Sequence, residues 1–400
     1  MTERTLHTFE AGRRGKPDEL EGGIAHLIGA LFLELNPLAR FDLRVGGRWS
    51  YEEEKPFVEV SGEVSESILT PNLEESICGI VIDHYNKVHR TALTSDDLII
   101  RCTGLKPQSD VLASNGSAGD SGNPIAVAYR NAPNHLPWER YLAVEIRDII
   151  DNIFQNGNVP AHIADISGVK KLNGLRADGK VSVDAIYEGV RLCSLADVTI
   201  AVEHERSLGV EELREKLETM LHAYFSELGK EYGVCLGTPN ITINGAGAWN
   251  RGGWRVDEGS REAKPYRDGF SSYGAAEDSF SGEDPTKPSA TGTFVARSVA
   301  VAVVKHFSAF ARVALTYKIG KDDVGLNITT NGTATKHQDE IEQAIRDSIK
   351  LGIGDAISSF GLLDPKLYRA IVESSDFFHN PKFPWNQTAL PEHYGAGLRY

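Results

Sequence analysis

Apolar residues recur every three to four positions in five stretches of the chain, which is the spacing of amphipathic helices. The stretches are Ile24–Leu35, Trp138–Ile153, Val210–Phe225, Thr293–Ala311 and Ile341–Ile349. The fourth is rich in Val and Phe, so we expect that helix to be buried on much of its surface. The most apolar runs are far shorter than the roughly 20 residues that a bilayer requires, so no transmembrane helix is expected.

Alternation of apolar and polar residues predicts four strands. They are Val181–Tyr187, Val198–Val202, Val313–Ile319 and Val324–Ile328. Strands that lie next to each other in sequence are joined by short turns, so they form antiparallel hairpins and not a doubly wound parallel sheet. The chain contains no P-loop motif and no G-x-G-x-x-G after a strand, which argues against the P-loop and Rossmann nucleotide-binding folds. The elements together indicate an α/β protein of the α+β type.

A loop rich in Gly, Asp and Pro recurs three times, each time ahead of a long helix and a pair of strands. The loops are Gly15–Asp18, Gly116–Asp120 and Ser281–Pro285. This repeat predicts three similar α/β units, with boundaries at residues 1–112, 113–237 and 238–400. The last unit contains a Gly-rich segment, residues 244–289, which is either a functional lid or a surface insertion.

The charge balance narrows the classes of partner. Lys and Arg number 42 against 56 Asp and Glu, a formal net charge of −14. Such a chain repels nucleic acid and anionic membranes, so neither is an expected partner, and an anionic ligand needs a locally basic pocket. The four cysteines, Cys78, Cys102, Cys193 and Cys235, form no C-x-x-C pair. We therefore expect buried, reduced thiols in a cytoplasmic protein without a signal peptide.

The three loops also carry the candidate chemistry. Glycine lets backbone N–H groups approach a ligand, aspartate can hold Mg²⁺, and lysine can neutralise phosphate. Together these residue types suggest a nucleotide. The twelve histidines form no H-E-x-x-H, so a zinc site is not expected.

At these residues the chain resembles the S-adenosylmethionine synthetase, or methionine adenosyltransferase, family of the bacterial and eukaryotic type. The strongest match is Phe280–Lys287, followed by Ala296-Arg297 in a helix and by Val313–Gly320. Further matches follow in order along the chain: Gly15–Asp18, Gly62-Glu63, Gln108–Asp110, Ala118–Asp120, Leu175–Lys180 and Phe383–Trp385. Collinear matches over most of the chain are specific.

The resemblance implies three α/β subdomains in a pseudo-threefold arrangement and a homodimer or tetramer with shared active sites. It also implies a reaction in which the methionine sulfur attacks C5′ of ATP and triphosphate leaves, with Mg²⁺ present. Such a displacement needs two aligned reactants and stabilisation of a highly charged leaving group.

The resemblance assigns roles to ten residues of this chain. Lys16, Lys180, Lys264 and Lys287 correspond to catalytic or phosphate-binding positions, and Asp18 to a Mg²⁺ ligand. Glu63, Gln108 and Asp120 correspond to the groups that hold the amino-acid end of methionine. Asp178 corresponds to a nucleoside contact, and Asp257 to the residue ahead of the phosphate site on the lid side.

Several positions depart from the family pattern. A histidine is replaced by Lys16 and a lysine by Glu19, and in the later loop a second lysine is replaced by Glu283. The arginine of the family is replaced by Ala263 and its metal-binding aspartate by Ser289. Together these five replacements make the expected phosphate site more acidic by three charges. The carboxylate that holds K⁺ in the family falls near Arg44, which argues against K⁺ here.

Three functions therefore stay open. The first is a diverged methionine adenosyltransferase. The second is an enzyme that acts on a sulfonium or nucleoside-amino acid without cleaving triphosphate, by reversal, elimination or transfer. The third is a non-catalytic ligand-binding or regulatory subunit.

Overall fold

Three β-sheets, each with a helix packed against it, form the framework of the chain in the computed structural model, which describes residues 4–102, 105–107, 117–259, 265–391 and 394. The strands are β1 (Arg4–Gly12), β2 (Phe41–Ser50), β3 (Lys55–Val64), β4 (Ile99–Arg101), β5 (Leu105–Pro107), β6 (Ile125–Tyr129), β7 (Leu175–Glu188), β8 (Arg191–His204), β9 (Asn240–Ile243), β10 (Phe310–Thr316) and β11 (Gly325–Thr329). The helices are α1 (Pro17–Leu35), α2 (Leu73–His89), α3 (Trp138–Asn156), α4 (Ala161–Ser167), α5 (Val210–Tyr232), α6 (Pro265–Asp268), α7 (Pro288–His306), α8 (Gln338–Ser348), α9 (Ile353–Phe360), α10 (Pro365–Ser374) and α11 (Pro384–Gln387).

The sheets are antiparallel or mixed, as the hairpin pattern predicts. The first has the order β1-β7-β8-β9, the second β11-β10-β6 and the third β2-β3-β4, with β5 also paired to β3. Only β8–β9, β3–β4 and β3–β5 are parallel among the described strand pairs. The mixed α/β fold is therefore confirmed.

Strands are exchanged between the three predicted units. β1 pairs with β7, so the first strand of the chain completes the sheet of the central unit. β6 pairs with β10, so a strand from the central stretch completes the C-terminal sheet. The boundaries at 112 and 237 remain a prediction, because β1 and β6 each pair with a strand on the other side of a boundary.

Helices α1 and α7 begin in the same way, and each places a candidate lysine at its first turn. Lys16 and Lys287 are the N-cap residues, both in extended conformation, and a proline follows each of them. Proline is favoured at this position because its φ angle already suits a helix and its missing N–H would have no partner there. The loop-then-helix repeat thus orients Lys16 and Lys287 equivalently in two units.

The structure corrects the limits of two predicted elements. Helix α7 ends at His306, and Phe310 already begins β10, so the apolar run to Ala311 is a helix followed by a strand. Ser308 makes the turn between them: its hydroxyl donates to the carbonyl of Phe310 and accepts from the Phe310 N–H. At the other end, β10 stops at Thr316 and Ile319 is exposed.

The four cysteines are free thiols, but the expected full burial is wrong. Cys78, Cys102 and Cys193 are half-buried, and Cys235 is exposed. Among the helices that the structure describes, none has the length and apolar content to cross a bilayer.

Candidate active site

A charged cluster forms where β1, β7 and the start of α1 meet the Gly-rich segment. Lys16 Nζ lies 3.0 Å from Asp18 Oδ2 and 3.0 Å from Asp257 Oδ2. The β1–β7 register places Gly12 opposite Lys180, which brings Lys180 to the same end of the sheet. We call this set the Lys16 cluster; its members are Glu10, Lys16, Asp18, Glu19, Lys180, Asp257 and Arg267.

Each cation of the Lys16 cluster is matched by carboxylates. Lys180 Nζ lies 2.8 Å from Glu10 Oε2. Arg267 donates to Glu10 Oε1 at 2.9 Å and to Glu19 Oε1 at 2.8 Å, and its Nη1 lies 3.6 Å from Asp18 Oδ2. Arg267 therefore holds α1 and β1 to the short helix α6.

The ion pairs also set the protonation of this cluster. Burial acts to lower the pKa of Lys16, but Asp18 and Asp257 outweigh it and raise that pKa above its ordinary value. Burial acts to raise the pKa of Glu10, but Lys180 and Arg267 outweigh burial and lower that pKa below its ordinary value. Lys16 is thus charged and Glu10 ionised at neutral pH.

Asp178 is buried beside this cluster and holds the Gly-rich segment against β7. Its Oδ1 accepts from the N–H of Gly179 at 2.6 Å, and its Oδ2 accepts from the N–H of Gly253 at 2.7 Å. Glu203 on β8 accepts from the N–H of Gly252 at 2.9 Å. Burial raises the pKa of both carboxyl groups. Residues 252 and 253 are therefore anchored by two carboxylates.

A second cluster surrounds Lys287 at the start of α7. Lys287 Nζ forms an ion pair with the carboxylate of Asp42 and lies 3.6 Å from Glu283 Oε1. Ser289 donates its hydroxyl hydrogen to Glu283. Glu63 on β3 lies directly opposite Asp42 on β2, so the two side chains share one face of the sheet. We call this set the Lys287 cluster; its members are Asp42, Glu63, Asp120, Glu283, Lys287 and Ser289.

Backbone hydrogen bonds bring the loop of Asp120 to the Lys287 cluster. The N–H of Gly119 donates to the carbonyl of Thr286 at 3.0 Å. Asp284 accepts from Arg40 Nε at 3.0 Å, which ties the same loop to the start of β2. Asp120 itself is exposed at the edge of this junction.

Glu283 is the most perturbed carboxyl group of the two clusters. Burial is the largest cause, and although Lys287 acts against it, nearby carboxylates add to it and the pKa of Glu283 rises to about 8. Burial acts to lower the pKa of Lys287, but Glu283 and Asp42 raise it. When Glu283 is protonated, Asp42 is the main counter-ion of Lys287, and when Glu283 is ionised it adds to Asp42.

The structure thus gathers the predicted site residues into two groups. Lys16, Asp18, Lys180 and Asp257 belong to the first, with Asp178 beside them. Glu63, Asp120 and Lys287 belong to the second, so two of the three predicted amino-acid ligands lie with Lys287 and not with Lys16. Gln108 and Lys264 lie outside the described residues.

Sequence reasoning missed Glu10, Asp42 and Arg267. The one available signal was Glu19, because an acidic residue at a position where the family has lysine needs a counter-ion when it is buried. Arg267 supplies that counter-ion, but it lies 248 residues away and only the fold brings the two together.

The donor set does not fit a resident divalent cation at Asp18. Its carboxylate already faces Lys16 and Arg267, and the residue in the position of the second metal-binding aspartate is Ser289. Within the part of the chain that the structure describes, no group of three or more His, Cys, Asp or Glu side chains is arranged to hold a metal ion. Arg44 is an exposed cation on β2 and does not fit a potassium site.

The fold and the two clusters define a mixed α/β protein with a charged cluster at the N-terminus of each of two helices. Residues 252–387 match the family model for the C-terminal domain of S-adenosylmethionine synthetase. The chain is also similar to the S-adenosylmethionine synthase of Mycolicibacterium gilvum (strain PYR-GCK), with 26% identity over 414 aligned residues that cover 97% of each protein. These matches make residues 252–387 similar to the C-terminal domain of S-adenosylmethionine synthetase and extend a weaker similarity over almost the whole chain.

Proposed function

We propose that this protein is a methionine adenosyltransferase-like enzyme, which binds an adenosine-bearing anion and a methionine-like amino acid and joins them at sulfur. The similarity to an S-adenosylmethionine synthase over 97% of the chain supports a transferase. The observation that carries the proposal is the Lys16 cluster. Lys16 and Asp257 lie 241 residues apart in the chain, yet their side chains meet beside Asp18 and Lys180.

The residues of the chain supply charge at the leaving group. In the proposed reaction the methionine sulfur bonds to C5′ of ATP as the bond from C5′ to oxygen breaks, and triphosphate departs. Lys16 is charged and its ammonium group can donate to a departing oxygen once the ligand takes the place of Asp18 or Asp257. A charge-assisted hydrogen bond of this kind lowers the barrier only if it strengthens as the oxygen becomes negative.

A homodimer or tetramer is part of this proposal. One chain presents the Lys16 cluster and the Lys287 cluster as two sets of residues. The resemblance assigns both sets to one active site between subunits. Two copies in an antiparallel arrangement would each complete the other's site.

A second candidate is an enzyme of the same family that does not cleave triphosphate. The observation in its favour is that Lys16, Lys180, Arg267 and Lys287 all face carboxylates in the described structure. A triphosphate must displace these partners, whereas a sulfonium or nucleoside-amino acid carries less negative charge. This candidate acts on added S-adenosylmethionine without releasing phosphate or pyrophosphate.

The test is a paired assay on the purified full chain. One reaction contains ATP, L-methionine and Mg²⁺ and is followed by mass spectrometry of the sulfonium product and by release of phosphate and pyrophosphate. The other contains S-adenosylmethionine alone and is followed by its loss. Product in the first supports the adenosyltransferase; turnover only in the second supports the second candidate.

The variants Lys16→Met and Lys230→Met serve as the matched pair. Lys16→Met should abolish most of the turnover. Lys230 forms an exposed ion pair with Glu227 on α5, so Lys230→Met should leave turnover unchanged. Binding of both ligands without turnover in either reaction rejects both enzymes and favours a regulatory subunit. Cytoplasmic location stays a prediction.

A further inference from the structure

A cavity of about 190 Å³ lies between helices α1, α2 and α10, with the end of α3 and the segment after α10 completing its walls. Among the described residues that line it, only Glu19 belongs to the Lys16 cluster, and none belongs to the Lys287 cluster. It also shares no lining residue with the larger cavity beside Gly252 and Gly253, which is part of the candidate active site. The cavity is therefore a separate feature of the fold.

Two adjacent glycines on α1 keep this space open. Gly22 and Gly23 lie in the first half of a 19-residue helix, where glycine is less favourable than alanine. At Gly23 a Cβ would lie 2.4 Å from Nε2 of His84, so only glycine fits beside this ring. Protein cores normally fill holes of this size, because empty space forfeits packing contacts. The glycines thus maintain a cavity at a cost in helix stability, which favours an occupant.

His84 is the polar side chain at this cavity that has no partner. It is only 8% exposed, and neither of its ring nitrogens makes a hydrogen bond to a described residue. Buried polar groups without a partner are rare in native proteins. Burial lowers the pKa of His84 to about 3, so the ring is neutral at physiological pH and offers one donor and one acceptor nitrogen. A ligand that fills the cavity can pair with this ring.

The charged side chains around the cavity are already neutralised within the protein. Five Asp, Glu, Lys and Arg side chains line it, and each has a partner. The contacts are Glu19 with Arg267, Asp376 with Arg140, Lys87 with Glu373, and Arg14 with the carbonyl of Glu373. A charged ligand would therefore find no free counter-ion among the described lining residues, so the cavity favours an uncharged one.

Apolar and aromatic groups form the rest of the wall. Val88, Ile371 and Phe377 line the cavity together with the ring of His26. The His26 ring meets the Phe377 ring edge-on, with 5.5 Å between the centroids. Small-molecule sites are typically apolar with a few polar groups that orient the ligand. Engineered apolar cavities of about 150 Å³ bind benzene, so one ring or two small fused rings match this volume.

We propose that this cavity binds a small, uncharged heteroaromatic ring, with His84 as its hydrogen-bond partner and with the Gly22-Gly23 backbone and Phe377 as walls. The proposal does not depend on the proposed reaction. Because Glu19 lines the cavity and also holds Arg267, a bound ring would contact one residue of the candidate active site.

The probe is benzimidazole, whose fused rings carry one N–H donor and one acceptor nitrogen. It is titrated into the full chain near pH 8 and followed by saturation-transfer NMR, with benzoate and benzylammonium as charged aromatic probes of similar size. Benzimidazole should bind with a Kd below about 1 mM and at least about tenfold more tightly than either ion. Equal affinity for the three probes would overturn the proposal, as would the absence of saturable binding.

A matched pair of variants locates the binding. Val372→Phe places a ring at the wall of the cavity and should weaken benzimidazole binding by about tenfold or more. Ile166→Phe makes the same kind of change at an exposed position on α4 and should leave the binding unchanged. If Val372→Phe binds the probe as tightly as the wild type, the probe lies elsewhere and the proposal fails.

A second pair tests the role of His84. His84→Leu removes both ring nitrogens and should weaken benzimidazole binding by about tenfold, whereas His84→Asn keeps a donor and an acceptor and should retain most of the affinity. Thermal unfolding of all four variants separates loss of the ligand contact from misfolding. Wild-type affinity in His84→Leu would show that His84 is not the partner and would overturn the proposal. The adenosyltransferase assay is independent of these measurements, so the proposed function is decided separately.

Discussion

Glu283 should make the protein less stable as the pH rises from about 5 to 9. Its side chain is only 9% exposed and accepts a hydrogen bond from Ser289, with Lys287 3.6 Å away. Burial raises the pKa of this carboxyl group from 4.5 to about 8. The folded state therefore binds a proton that the unfolded state releases once the pH exceeds about 4.5.

The sign and size of the effect follow from this pKa. The folded state binds more protons than the unfolded state, so the stabilisation by the protonated carboxyl is present below pH 4.5 and is lost as the pH approaches 8. A rise from 4.5 to about 8 corresponds to roughly 4–5 kcal/mol of unfolding free energy. Domains have net stabilities of about 5–15 kcal/mol, so this loss is large enough to measure.

The assay compares urea unfolding of the wild type and Glu283→Gln from pH 5 to 9. Glutamine keeps the acceptor for Ser289 but cannot ionise, so the variant should lose much less stability across this range. Glu227→Gln, at an exposed position on α5, is the matched control and should follow the wild type. Parallel pH profiles for Glu283→Gln and the wild type would refute the assignment of a proton to Glu283.

Three further changes have defined outcomes. Glu19→Lys places a cation beside the nearly buried Arg267 and should cost about 3 kcal/mol or more in urea unfolding, whereas Glu19→Gln should cost less. Burial acts to raise the pKa of Asp376, but its buried partner Arg140 on α3 holds that pKa below the ordinary value. Asp376→Asn should therefore cost about 3–5 kcal/mol of unfolding free energy near pH 7. The cost should be smaller in acid, because Asp376 of the wild type is then protonated as well. Gly62→Ala should lower the thermal midpoint of unfolding strongly, because Gly62 has φ of +139° and a Cβ there would lie 2.0 Å from the carbonyl oxygen of Asp42 on β2. Gly46→Ala is the control and should leave the midpoint nearly unchanged, because the space around its Cβ is open.

The local pattern of the chain predicted five of the eleven helices and four of the eleven strands that the structure describes, because an element that buries one face has a periodic apolar pattern. The apolar spacing of residues 138–153 becomes α3, and the alternation of residues 181–187 becomes part of β7. It failed at Thr293–Ala311, where a helix buried on all sides and a buried strand are both apolar and only the turn at Ser308 separates them. Hydrophobic pattern carries no signal for a boundary between two fully buried elements.

The candidate site was predicted by residue type but not by arrangement. Lys16 and Lys287 follow from the loop motifs, and the proline after each explains why both begin a helix. Contacts between residues far apart in the chain place Glu63 and Asp120 with Lys287. A contact of the same kind lets Arg267 neutralise Glu19.

The sequence by itself determined the most periodic helices and two hairpins, the acidic balance and the resemblance to S-adenosylmethionine synthetases, because these depend on the spacing of a few residues and on the identity of short motifs. Only the tertiary structure decided which charges meet and how β1 and β6 join distant sheets. Ion pairing and burial depend on distance in space, and sequence separation does not report that distance until the chain is folded.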